Sequence, residues 1–339
     1  MKGQFEMDFF KVSSSPHMKH EDTTASIMSD VLIALLPALV FGVMNFGFRA
    51  LTLTLVSVVS CVLFEYLYRK LMKKSNTIGD LSAAVTGVLI AFCVPHTLPI
   101  WVIVVGSFFA IVIVKQLYGG IGKNVVNPAL AARVFMFACF PNYFGSSAFT
   151  VQNLSWFEKA TDTVASATPL ANEFLKVGHA PRIGGEILTF GELAYGYHGG
   201  CIGEVSEVLL LCGALYLLLR RVITWHIPAS YIGTVALITF IFPVGGMGRL
   251  DFMLCELLTG GLFLGAFFMA TDYVTSPATK VGRIIYGIGC GLITVFIRYF
   301  GGYPEGVSFA ILIMNLFVWY IDKATKPRVF GGVRRNGTK

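Results

Sequence analysis

Charge is scarce in this chain. Of its 339 residues only 13% are Asp, Glu, Lys or Arg, whereas 55% are hydrophobic, and mean hydropathy is +0.71. A soluble domain carries about a quarter of its residues as charges, so this chain cannot clothe a water-facing surface. The same deficit excludes a soluble enzyme, a disordered chain and a coiled coil. Paired cysteines are missing too. The seven cysteines stand singly, most of them in apolar runs, and no C-x-x-C occurs. That spacing offers neither an iron–sulfur ligand set nor a disulfide framework, and reads as small core residues. Residues 1–25 hold no apolar core of the kind a cleaved signal peptide needs. The first apolar run is therefore expected to act as its own insertion signal. No Gly-x-Gly-x-x-Gly follows a strand pattern, so the chain shows no dinucleotide fingerprint.

What is present is a series of long apolar runs, each near the roughly 20 residues that a helix needs to cross a bilayer. They fall near 27–47, 50–68, 80–95, 98–115, 127–141, 204–219, 224–242, 251–270, 283–299 and 304–321. The third and fifth are short, as tilted or broken helices would be. The net charge of +7 suits loops held in the cytoplasm better than a nucleic-acid partner. With the N-terminus inside, 19 of the 26 basic residues fall on the cytoplasmic side, six on the outer side, and Arg133 within a span. This asymmetry predicts that both termini are cytoplasmic. It also leaves one long segment outside, residues 142–203, which is rich in Ser, Thr, Gly and Asn. A long polar insertion between packed spans usually carries function.

The two halves look related. Asn127-Pro128-Ala129 and Ser276-Pro277-Ala278 both place a small polar residue before Pro-Ala, and Thr86-Gly87 and Thr259-Gly260 lie upstream of them. Five spans per half is an odd number, so the second half would enter from the opposite side. The expected fold is all-α: about ten transmembrane helices in two inverted five-helix repeats, like a urea transporter. Such folds place binding sites at the repeat interface, near broken helices.

Within the outer segment stands Asp162-Thr163-Val164-Ala165-Ser166-Ala167-Thr168-Pro169. By its residue types alone this is a surface turn or a helix cap. No His or Lys within five residues activates Thr168 as a nucleophile. If Thr168 carries a group, another protein puts it there.

These residues resemble a known family. With Ser14-Ser15-Pro16-His17, the run from Ile27 to Ala38 and Gly119-Gly120-Ile121-Gly122-Lys123-Asn124, the chain is similar along nearly its whole length to the RnfD family, the D-type component of the Rnf membrane complex. That family is related to the B-type component of the sodium-translocating NADH:quinone reductase. The resemblance implies FMN attached through its phosphate to the threonine of an Asp-x-x-x-Ser/Gly-Ala-Thr stretch. Thr168 matches that threonine, Ala167 the alanine before it and Asp162 the leading acid, with Ser166 inside the stretch. Many relatives have Ser or Thr where this chain has Ala165. Asp162 and Ser166 are expected to shape the turn or guide the modifying enzyme. The resemblance also implies a non-covalent riboflavin near the cytoplasmic face, beside Gly119–Arg133 or Asp272–Arg283.

Ionisable groups at membrane depth suggest function by default. Arg133, six residues into its run, is expected to neutralise a reduced flavin or to brace a broken helix. Glu65 and Asp251 read as interfacial, and Asp272 as an anchor between helix and loop. Glu256 joins them as an acid inside a run.

The resulting division is a cytoplasmic segment 1–25, a first transmembrane repeat 26–141, a flavin-bearing outer loop 142–203, a second repeat 204–322 and a cytoplasmic tail 323–339. The expected function is that of a flavin-bearing component of a complex in the cell membrane of a bacterium or archaeon. It would carry electrons between ferredoxin and NAD⁺, coupled to Na⁺ or H⁺ translocation. Its expected partners are the A-, B-, C-, E- and G-type Rnf components, a flavin transferase and the lipid bilayer. The alternatives are a solute permease or channel on the same plan, or a structural component without an active flavin.

Overall fold

A computed structural model describes residues 23–145, 150–151, 164–165, 182–183, 186–187, 189–196, 199–204, 206–301 and 305–327. Each of the ten apolar runs contains a helical segment. Helices α1 (Thr24–Phe46) and α2 (Phe48–Leu71) meet at Gly47, whose φ of 73° lets the chain reverse without a Cβ clash. There follow α3 (Ser82–Phe92), α4 (Ile100–Gln116, wound as a π-helix from Phe109) and α5 (Pro128–Cys139). After the short α6 (Phe190–Tyr195) come α7 (Glu207–Leu219), α8 (His226–Ile241), α9 (Arg249–Leu257) and α10 (Leu262–Met269). Helices α11 (Lys280–Phe300) and α12 (Val307–Thr325) complete the set.

Helices α1, α2, α11 and α12 are long and apolar enough to cross a membrane, and the α9–α10 pair, bent by 61°, makes a fifth span if counted as one. The molecule is a polytopic helical membrane protein. Its outer faces agree: Ile33, Leu36 and Val40 on α1, Leu55 and Val59 on α2, and Leu292, Phe296 and Phe300 on α11 are all exposed. In water such a surface would aggregate; in lipid it is solvated. Aromatic residues with basic neighbours mark an interface, with Lys70 over Tyr66 and Lys323 over Trp319. The all-helical expectation needs one amendment. Two antiparallel ladders of two residues per strand, β1 (Thr150–Val151) with β2 (Val164–Ala165) and β3 (Arg182–Ile183) with β4 (Glu186–Ile187), lie in the long loop.

Small residues let the half-length helices enter the bundle. A Cβ on Gly87 of α3 would lie 2.7 Å from Val58 Cα, so the backbones of α2 and α3 touch there, and Ser57 Oγ donates to Gly87 O at 2.7 Å. Helix α3 ends inside the protein, where its last carbonyls need donors. The chain beyond the long loop supplies them: Ile202 N donates to Val94 O and Gly203 N to Phe92 O, at 3.1 and 3.0 Å. The break between α9 and α10 is held by Arg298 of α11, fully buried, which donates to the Glu256 carboxylate and to the carbonyls of Glu256 and Thr259.

Several expectations are corrected here. Glu65, read as interfacial, is buried within the protein at 1% exposure, where it pairs with Lys115 Nζ at 2.8 Å and accepts from Thr77 Oγ1 of the α2–α3 connection at 2.7 Å. Lys115 and Arg298, counted among the loop charges, are buried as well, because each neutralises an acid inside the bundle. Asp251, also read as interfacial, is exposed in the first turn of α9. Asp272 anchors its loop as read, accepting from Thr275 Oγ1 at 3.1 Å.

Candidate functional site

Asn127 shows how local sequence builds the site. Its side chain accepts from the amides of Ala129 and Leu130, capping α5, and Pro128 occupies the first helical position, where no N–H is needed. The same side-chain amide then donates across the bundle to Met269 O at 3.2 Å, tying the start of α5 to the end of α10. Beside this junction lies a cavity of about 520 Å³, well within the range of small-molecule and cofactor pockets. Ile27 and Val31 of α1, Leu89 of α3 and Phe267 of α10 form apolar walls. Thr86, Lys115, Asn124, Asn127 and Asp272 add polar groups. Lys115 is held in place, since Nζ donates to Glu65 Oε2 at 2.8 Å and to Ser82 Oγ at 2.6 Å. Two of the three donors of the ammonium are thereby used.

The two stretches named as alternatives for a second flavin meet at this one cavity. Ile121, Gly122 and Asn124 come from the first, and Asp272, Tyr273 and Val274 from the second. Arg133 is not part of its lining. The guanidinium donates to Ser308 Oγ at 2.8 Å and to Cys201 Sγ at 3.9 Å, contacts Glu305, and lies 3.4 Å from Glu204 Oε1. Of its two expected roles, this arrangement fits bracing, because it joins α5 to α12 and to the segment before α7. A Cβ on Gly261 would sit 2.6 Å from Glu204 Oε1, which places that acid against the α9–α10 break. Asp162, Ser166, Ala167 and Thr168 lie outside the described residues.

A family model for the NQR2, RnfD and RnfE proteins matches residues 11–331. The chain belongs to the NQR2, RnfD, RnfE family. Named relatives agree along almost the full length. The D-type component of the Na(+)-translocating ferredoxin:NAD(+) oxidoreductase complex of Acetobacterium woodii is 48% identical over 322 residues, covering 94% of this chain and 95% of the relative. Its counterpart in the proton-translocating ferredoxin:NAD(+) oxidoreductase complex of Clostridium ljungdahlii is 39% identical over 338 residues, or 97% and 98%. The D-type component of an ion-translocating oxidoreductase complex of Cronobacter sakazakii is 35% identical over 354 residues, or 95% and 99%.

Sequence reasoning on this member of the NQR2, RnfD, RnfE family missed Glu204, Glu207, Glu305 and Ser308. The signal was available for two of them: Glu204 and Glu207 stand three apart inside the sixth apolar run, where any acid is conspicuous. Glu305 carried no such mark, since it opens its run beside Gly and Pro.

Proposed function

We propose that this chain is the D-type component of an ion-translocating ferredoxin:NAD⁺ oxidoreductase complex, bearing FMN on Thr168 and a second, non-covalent flavin in the 520 Å³ cavity. The observation that carries the reading is the 48% identity, over almost the whole chain, to the corresponding component of such a complex. Partners of the A, B, C, E and G types follow from the same resemblance, as does a flavin transferase acting on Thr168.

The cavity suits a flavin by its lining. Ile27, Leu89 and Phe267 offer apolar walls for a planar ring, and the remaining donor of Lys115 with Asn124 and Thr86 can meet a polar ring edge. A bound flavin would supply one- and two-electron transfer. The protein's part is to hold it, to keep water from the apolar walls, and to set the local charge through the Lys115–Glu65 pair. Every segment lining the cavity comes from the side assigned to the cytoplasm by the basic residues, and the same assignment puts residues 142–203 on the other.

The inverted repeat is part of this reading, and the packing supports it. Helix α1 packs on α7 and α5 on α12, the first and the last of each half; α2 meets α3 and α4 as α8 meets α9 and α11. The Thr86-Gly87 and Thr259-Gly260 pairs fall on the third element of each half. The Pro-Ala runs do not correspond, because one opens the fifth helix of the first half and the other the fourth of the second.

Ion uptake into vesicles carrying the assembled complex, driven by reduced ferredoxin and NAD⁺, tests the function. Thr168→Ala should abolish it; uptake that continues at the wild-type rate refutes the role of Thr168.

A further inference from the structure

Around Arg133 the charges do not balance. Glu204 and Glu305 both reach its guanidinium, and Glu207, one turn past Glu204 at the start of α7, is only 1% exposed. Among the described residues no other residue hydrogen-bonds the carboxylate of Glu207, and Glu204 Oε1 has only the Arg133 nitrogen at 3.4 Å. Glu204 is the charged side chain whose field acts on Glu207. The remaining neighbours do not supply a positive charge. Cys93 at the end of α3 and Cys201, 3.9 Å from an Arg133 nitrogen, can carry no positive charge. From α1, Asp30 is engaged by Tyr216 and Arg220 at the other end of α7. From α6, Glu192 caps its own helix, and α10 brings no ionisable residue. Lys115 and Arg298 are committed to Glu65 and Glu256. Among the described residues, then, Glu204 and Glu305 reach the one guanidinium and no cation pairs with Glu207. Fully ionised, the three carboxylates would outnumber the one guanidinium by two, with Glu204 and Glu207 both buried. Adjacent carboxylates escape such an excess by sharing a proton.

We propose that Glu204 and Glu207 form a proton-loading site, in which the pair takes up one exchangeable proton and Arg133 neutralises the charge that remains. The site stands about 15 Å along α7 from Leu217 in the cavity wall, so it is separate from the flavin pocket. The site rests on the proposed function and deepens it, since ion translocation needs an ionisable group at depth that can change its charge. The exchange itself is balanced: a carboxylic acid releases H⁺ to water and leaves a carboxylate.

Infrared difference spectroscopy on the full chain in lipid, titrated from acid to alkaline pH, reads this site without the rest of the complex. A protonated-carboxyl band that persists at neutral pH should vanish in Glu207→Gln, weaken in Glu204→Gln, and remain in the exposed control Glu192→Gln. Glutamine is near-isosteric, and Glu204→Gln carries the test should Glu207→Gln not fold. A band unchanged in both variants overturns the proposal. So does a band bleached by added Na⁺ at constant pH, which would make the pair a sodium site. The functional reading fails separately, through absence of ferredoxin:NAD⁺ activity in the wild-type assembly, and that failure would leave the band in place.

Discussion

Glu65 and Lys115 illustrate what a buried ion pair does at the scale of one residue. At 1% and 4% side-chain exposure, neither charge can turn to water if its partner is lost. Replacing Glu65 by Gln should destabilise the protein by about 3–5 kcal/mol, read as a fall in the melting temperature of the detergent-solubilised protein. The double variant Glu65→Gln/Lys115→Met should recover most of that loss, because no unpaired charge remains. His96, in the turn between α3 and α4, gives a pH signature. Burial, with help from the charge of Arg49, lowers its imidazole pKa to about 4. The unfolded chain binds this proton near pH 6.5, whereas the native state binds it only near 4. Stability from the neutral ring is therefore present above about pH 6.5 and drains away as the pH falls toward 4. In His96→Phe, which keeps a ring against Phe46, melting temperature should fall less over that interval; an identical acid limb contradicts the assignment. Some of this was legible in advance. Arg133 announces itself as a charge in an apolar run, but its partner Glu305 lies 172 residues away, and no local pattern connects them.

At the scale of elements, hydropathy located the helices because lipid-facing and core-facing positions are both apolar, so each run stands out whole. It could not locate the places where helices stop inside the protein. The ends of α3 and α9 are set by distant donors, Ile202, Gly203 and Arg298, and by close backbone contact at Gly87. Gly87→Ala should force α2 and α3 apart and cost about 1–3 kcal/mol, with thermal unfolding as the measure. Substitution at Gly79, where a Cβ meets nothing within 4 Å, should leave the melting temperature unchanged. Asn127→Ala removes both the cap of α5 and the tie to Met269. It should cost about 1–2 kcal/mol through the cap alone, and should also loosen the cavity wall.

At the scale of the whole molecule, the separation we propose is between a cavity lined from the cytoplasmic side and a polar loop on the outer one. The basic residues implied that separation even though some of those counted prove to be buried, because the clusters at 69–74 and 323–339 outweigh them. Cysteines placed at Lys159 and at Lys326 should be labelled by a membrane-impermeant maleimide from opposite faces of intact and inverted vesicles. Labelling of both from the same face would undo the topology. The proposed flavin acceptor is named only through family resemblance, since Thr168 has no activating neighbour in sequence. The central claim therefore turns on that residue. The decisive measurement is the intact mass of the full chain coexpressed with a flavin transferase. The account predicts one added FMN less water, with flavin fluorescence travelling with the denatured polypeptide, and both lost in Thr168→Ala. An unmodified, non-fluorescent wild-type chain under the same conditions would contradict it.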